Sequence, residues 1–213
     1  MKPSEIISEV RQLVQDTRTP YRYNDTTLLG FVNQTLKRIV VVRPDLFSKY
    51  GEIPTTAGAI LQTLPSDSTR LVEIFQVKDG DTVTEVVREI FDQTFPAWAS
   101  SEAGTPINYM RHIRNPNRFF LYPKPTEGII LMGEYVQSPK TYGIDETIEL
   151  LSESYFSTVI DGVVFLAESV DNEHVNSGRA DMYQKAFYNG LVTSLQSRAI
   201  TDTETSTLQG TRG

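Results

Sequence analysis

Residues 16–46 read DTRTPYRYNDTTLLGFVNQTLKRIVVVRPDL, and this stretch decides how the chain begins to fold. Asn24 and Asp25 suit a helix N-cap, where a short side-chain oxygen accepts from the orphan N–H groups of the first turn. Leu28, Leu29, Val32, Leu36, Ile39 and Val40 follow at helical spacing. Arg43-Pro44 ends that run, because the residue before a proline avoids helical geometry. Upstream, residues 17–23 with Pro20 break the chain. Before them, residues 4–17 predict a helix capped by Ser4, with Ile6, Ile7, Val10, Leu13 and Val14 on one face. Two such helices joined by a short loop form a hairpin.

From Phe47 to Pro139 prolines and glycines recur and apolar residues come in short runs. Residues 59–64 and 71–78 read as strands, and Asp79-Gly80 is a hairpin signal that brings 82–88 back as a partner. Residues 89–98 predict a short helix or crossover. Residues 107–114 and 118–122, around Asn115-Pro116-Asn117, predict a second hairpin, and 128–137 a further strand with Ile129, Leu131, Gly133 and Tyr135 on one side. Five or six short antiparallel strands result. Helices resume after Asp145: 152–171 carries two adjacent apolar stripes and should be buried on more than half its surface. A last helix covers 176–199, with Tyr183, Phe187, Leu191 and Leu195 four apart.

The expected fold is α+β: an antiparallel helical bundle with an inserted small antiparallel β module and an extended C-terminal tail. Its parts are an N-terminal helical hairpin (1–46), a β-rich insertion (47–144), a C-terminal helical pair completing the bundle (145–200) and a flexible tail (201–213). That tail has one large apolar residue, Leu208, and no periodicity.

Composition narrows function. The 213 residues are 39% hydrophobic and 22% charged, which is globular composition, and no run of 18 apolar residues exists to span a bilayer. Residues 1–20 hold Lys2, Glu5, Glu9, Arg11, Asp16 and Arg18, so no signal-peptide core is expected. With no cysteine, thiol nucleophiles, disulfides and thiolate metal sites are excluded. His112 and His174 stand 62 residues apart, too few for a histidine metal site. No phosphate loop, nucleophile elbow, zinc-protease motif or EF-hand loop is present. Asp79 and Asp81 read as a solvated hairpin tip, both histidines as surface residues, and Glu85, Glu89 and Asp92 as carboxylates with no nucleophile or metal beside them. The expectation is a protein without catalytic residues, metal or cofactor.

Charge is segregated. Residues 1–49 carry +3, 50–104 carry −6, 105–144 carry +3 and 145–213 carry −7, for a net −7. An acidic chain is an unusual free-standing nucleic-acid binder, whereas blocks of opposite sign suit ordered contacts between copies or with a partner. Arg111, Arg114, Arg118 and Lys124 lie in a stretch without acidic residues, interleaved with Tyr109, Phe119, Phe120 and Tyr122. That pattern fits a partner or inter-subunit contact, a solvated edge, or a single-stranded DNA-binding module that stacks bases on aromatics.

The order of signals resembles a known family. It runs from Asp16 through Pro20-Tyr21-Arg22-Tyr23, Asn24-Asp25, Leu28-Leu29 and Asn33 to Val42-Arg43-Pro44-Asp45-Leu46. Leu64-Pro65, Pro96, Trp98, and Phe119-Phe120-Leu121-Tyr122-Pro123-Lys124-Pro125 follow, then Pro139 and a helix with Ala180, Tyr183 and Phe187. This is similar to the head-to-tail adaptor proteins of short-tailed bacteriophages, the group of tubular tail protein A. The resemblance implies a virion structural protein in the neck or tail, assembled in the host cytoplasm as a ring of twelve. It would sit between the portal protein and the tail nozzle or tubular tail protein, with DNA passing through the lumen and no membrane contact. It also implies a portal-binding tail, here Thr201, Thr203, Thr205, Thr207, Leu208, Gln209 and Arg212. The lumen is expected to be acidic or mixed in charge. Other readings are another head- or tail-completion connector or, from a different class, a cell-wall hydrolase.

Overall fold

α1 (Pro3–Leu13) starts one residue earlier than expected: Lys2 holds the N-cap position and Pro3, which has no N–H to leave unpaired, opens the first turn. Ser4 is therefore not the cap; its N–H donates to the Ile144 carbonyl at 2.8 Å. The helix also stops before residue 17. Gln15 takes the left-handed conformation (φ 58), and the Gln15 and Asp16 N–H groups donate to the carbonyls of Gln12 and Arg11 at 3.2 and 2.9 Å. This is a Schellman ending with glutamine where glycine is usual. The computed structural model describes residues 1–170 and 178–192.

α2 (Asp25–Val42) is capped as expected, with Asn24 Oδ1 accepting from the Thr27 N–H at 2.8 Å. Leu28, Val32, Leu36 and Ile39 are buried, while Val41 and Val42 face solvent. A 3₁₀ turn, Glu153–Tyr155, leads into α4 (Phe156–Ser169), whose Val159, Ile160, Val163, Val164, Leu166 and Ala167 are all buried. A further helix, α5, occupies 178–192, with Phe187 and Leu191 buried. The expected helix residues 176–177 and 193–199 lie outside the described residues. α1 packs on α2 and α4, and α2 on α4. A Cβ on Gly162 would stand 2.5 Å from Thr35 Cγ2 and 2.9 Å from Phe187, so α4 approaches α2 and α5 too closely there for a side chain.

Contacts divide the chain into two compact units. One comprises Met1–Leu46 and the chain from Pro139 onward; the other is Phe47–Ser138. The second unit holds seven strands in two sheets, more strand than expected. In the first sheet, β1 (Ser48–Pro54), β7 (Ile130–Gln137) and β3 (Ser68–Val77) pair antiparallel in the order β1-β7-β3. In the second, β2 (Leu61–Thr63), β6 (Arg118–Tyr122), β5 (Asn108–Arg111) and β4 (Thr84–Glu85) run in the order β2-β6-β5-β4. Ile53, Leu71, Ile74, Val77 and Leu131 from one sheet and Tyr109, Phe119 and Leu121 from the other form one buried core. Phe91 of α3 (Arg88–Thr94) and Trp98 cover Met110, Phe120 and Tyr122 on the opposite face of the four-stranded sheet.

Two strand expectations are corrected. β1 has no counterpart in the expected strand set, because Ile53 is its only fully buried side chain and its sequence lacks an apolar alternation. The Asp79-Gly80 turn does form, with Gly80 N–H donating to the Val77 carbonyl at 3.0 Å. However, residues 82–88 do not return along β3. Only Thr82 bridges Gln76, and Val83 N–H donates to Phe75; the chain then crosses so that Thr84 and Glu85 pair parallel with β5. Mixed α+β structure stands, with five helices and two sheets among the described residues.

Gly162→Ala should destabilise the chain by about 1–3 kcal/mol through overpacking. Gly30→Ala, in the middle of α2 with nothing within 4 Å of the new Cβ, should stabilise it by about 0.4–1 kcal/mol. Urea unfolding of the two variants beside the parent checks both signs.

Candidate functional site

The basic stretch does not act as one patch. Arg111, at the end of β5, stays nearly half exposed but bridges the two sheets. Its Nη1 donates to the Leu71 carbonyl at 2.8 Å and its Nη2 to the Val72 carbonyl, both on β3. Its Nε and Nη2 donate to Glu85 at 2.7 and 3.1 Å, and Tyr109 Oη donates to the same carboxylate at 2.8 Å. The hydrogen bond from Arg111 holds the Glu85 carboxyl below its ordinary range, and Glu85 in turn raises the Arg111 value. Burial, with the bond to Glu85, pushes the Tyr109 hydroxyl up to about 12. Arg111 is thus a structural clamp.

Arg114 and Arg118 flank the β5–β6 turn and are exposed, with no ion-pair partner among the described residues. Lys124 lies beyond the opposite end of β6, apart from both. The aromatics between them are already engaged. Phe119 and Tyr109 are in the core, while Phe120 and Tyr122 pack under Phe91 and Trp98 with ring centroids 5.1–6.2 Å apart. Arg88 stands 4.4 Å over the Phe120 ring. The stacking platform that a single-stranded DNA module needs is therefore occupied by protein.

The turn itself carries a residue that sequence reading passed over. Ile113 is 80% exposed, and only its position between two cations in a hairpin tip marks it. His112 is half-buried and stacks on Phe120 at 5.5 Å; its Nδ1 accepts from the Arg114 and Asn115 N–H groups at 3.2 and 3.1 Å. On the outer face of the three-stranded sheet, Tyr50 and Phe75 meet over β7 with centroids 5.7 Å apart. Glu73 and Glu134 are direct cross-strand partners there.

The other carboxylates singled out in the sequence have structural or solvent surroundings. Asp92 accepts from Trp98 Nε1 at 2.6 Å and faces Arg88, Glu85 is held by Arg111, and Asp79 and Asp81 sit exposed at their turn. Among the described residues, no group of three His, Cys, Asp or Glu can hold a metal ion. A groove of about 330 Å³ lined by Phe95, Pro96, Trp98 and Tyr122 is mainly apolar, and its lining residues include no carboxylate, imidazole, amine or thiol. No helix among the described residues is long and apolar enough to cross a membrane. His174 and the tail positions Thr201, Thr203, Thr205, Thr207, Leu208, Gln209 and Arg212 lie outside the described residues.

Several of the residues that carry the resemblance fasten loops in the helical unit. Asp16 accepts from Arg11 Nη1 at 2.8 Å and from the Arg22 N–H at 2.7 Å. Tyr23 Oη donates to the Ala167 carbonyl at 2.6 Å. The Asn33 amide makes a two-way bond with the Tyr142 backbone, accepting at 2.7 Å and donating at 3.1 Å. Arg43 donates to Asp45 and, at 2.6 Å, to the Leu191 carbonyl. A family model described as SU10 adaptor protein matches residues 1–211. No curated protein matches the chain. The match supports a phage adaptor without singling out the tubular tail protein A group of short-tailed phages.

Arg111→Ala should cost about 1–2 kcal/mol, since it removes bonds to two carbonyls and to a Glu85 carboxylate that water partly reaches, whereas Arg114→Ala and Arg118→Ala should stay within about 0.5 kcal/mol of the parent. Because folding lowers the Glu85 value, the stabilisation from its pairing is full above the ordinary 4.5 and is lost as pH falls through the folded value. The pair is nearly half exposed, so that contribution is about 1 kcal/mol or less. Glu85→Gln should therefore lower stability at neutral pH and lose part of the parent's acid sensitivity, read by urea titrations at neutral pH and below pH 4.

Proposed function

We propose, because the chain belongs to the SU10 adaptor protein family, that it is a phage virion protein that joins head to tail. Twelve copies form a ring in the neck, beneath the portal protein and above the tail nozzle or tubular tail protein. DNA passes through the lumen without sequence-specific binding. The ring is made in the host cytoplasm, and the chain turns over no substrate. The observation that carries this reading is the family match, which runs from residue 1 to residue 211.

Within that ring the helices of 1–46 and 145–200 act as a bundle that builds the wall, and 47–144 meets the tail. Residues 201–213, with Leu208 as their one large apolar side chain, dock on the portal. Such a segment loses its chain entropy only on binding, which delays ring closure until the portal is complete. The segregated charge supports the reading, because a head-to-tail ring needs two different complementary faces on each subunit. An acidic or mixed lumen would repel packaged DNA and let it slide.

Electron microscopy of the protein mixed with its portal tests the reading. A ring stacked on the portal is expected. Removing residues 201–213 should weaken portal binding at least about tenfold while leaving the unfolding midpoint unchanged. An unstacked portal would overturn the assignment, and full binding by the shortened chain would overturn the role of the tail.

A further inference from the structure

The β5–β6 turn is tied down by hydrogen bonds at its base. Besides the two bonds accepted by His112 Nδ1, the Leu71 N–H donates to the Pro116 carbonyl and the Leu64 N–H to the Asn117 carbonyl, each at 2.9 Å. The tip is pinned from below, so seating it on another surface orders little new chain. It presents Ile113, 80% exposed, with Arg114 and Arg118 beside it. A β-branched apolar side chain held out in water this far, next to Arg114 in the chain, contributes little packing to its own unit.

The outer face of the three-stranded sheet has the opposite character. Tyr50, 58% exposed, and Phe75 make an aromatic pair over β7, and Met132 is a neighbouring half-buried residue. Glu52 is already neutralised by Lys78 at 2.6 Å. Glu73 and Glu134 are not: they face each other across adjacent strands with no ion-pair partner among the described residues. Like charges directly opposite in a sheet repel, and a cation placed between them would relieve that cost.

We propose that the β5–β6 turn of one copy seats on this sheet face of a second copy, with Ile113 on the Tyr50–Phe75 pair and Arg114 and Arg118 on Glu73 and Glu134. The two patches differ, so the contact is heterologous and repeats from copy to copy until a ring closes. A tip on a sheet buries less than the 1,200 Å² or so of a standard stable interface. A single contact is accordingly weak, and many in a closed ring are not. This inference rests on the ring proposed above and names one of its inter-subunit contacts.

The test is mass photometry of the full chain, alone and with portal, for the parent, R114E/R118E, E73K/E134K and an equimolar mixture of those two variants. Each variant alone sets like charge against like charge and should need at least about tenfold more protein to assemble. In the mixture every tip meets a face of opposite sign, so alternating copies should assemble at concentrations near the parent's. That rescue also shows both variants are folded. Variants that assemble like the parent, or a mixture that is not rescued, would overturn the contact and leave the ring standing. A parent that neither self-associates nor collects on the portal would overturn both. Loss of DNA binding by R114E/R118E with assembly intact would make the turn a nucleic-acid contact and overturn the proposal.

Discussion

A guanidinium taken out of water must find acceptors for its N–H groups; among the described residues Arg43 and Arg11 meet that demand in the interior, and Arg111, nearly half exposed, makes a similar set of bonds nearer the surface. Arg43, 1% exposed, divides its donors between the Asp45 carboxylate and the Leu191 carbonyl. Arg11 bonds Asp16, Asp25 and the Tyr23 carbonyl. Arg111 bonds Glu85 and two carbonyls of β3. Each guanidinium is neutralised by a carboxylate and also bound to backbone of another segment. Each therefore fixes a chain crossing that apolar packing, which is non-directional, would leave free to slide. Losing any one would strand several acceptors at once, so the loops of both units depend on these clamps.

The same bonds explain what was legible in the sequence and what was not. α2 was readable at both ends, because Asn24 caps it by its own side chain and Pro44 stops it by local sterics. The end of α1 was not, because its left-handed residue is Gln15 and only the bonds around Asp16 reveal the turn. The β5–β6 hairpin followed from its Asn-Pro-Asn turn and alternating apolar residues. β1 escaped because its pairing with β7 is made by backbone, with little apolar pattern to announce it. The strand expected after Asp79-Gly80 failed because Glu85 is drawn to Arg111 on the other sheet, a partner 26 residues away.

Among the candidate contact residues, sequence did not separate Arg111, which is bonded within its own unit, from Arg114 and Arg118. Arg111 has the same composition around it as Arg114 and Arg118 and is exposed like them, yet it alone of the three is bonded to Glu85 and to the β3 carbonyls. Arg111 lies in β5 on the face of Tyr109, Arg118 in β6 on the face opposite Phe119, and Arg114 in the turn between them; the uncertainty of a strand's first residue hides that phase from sequence reading. The motif residues behind the family resemblance, Asp16, Asn33 and Arg43, are fasteners, which is why a resemblance built on turns and caps tracked a whole-chain family match.

A protein held together this way ties its segments with polar clamps and has an exposed hairpin tip at Ile113. Its function as an adaptor is then a matter of how many copies meet which neighbour. Native mass measurement of the portal saturated with this chain addresses that directly. The account predicts a single complex whose added mass equals twelve copies of the 24.0 kDa chain. A portal that takes up no chain, or a fixed number of copies incompatible with a closed ring, would contradict it.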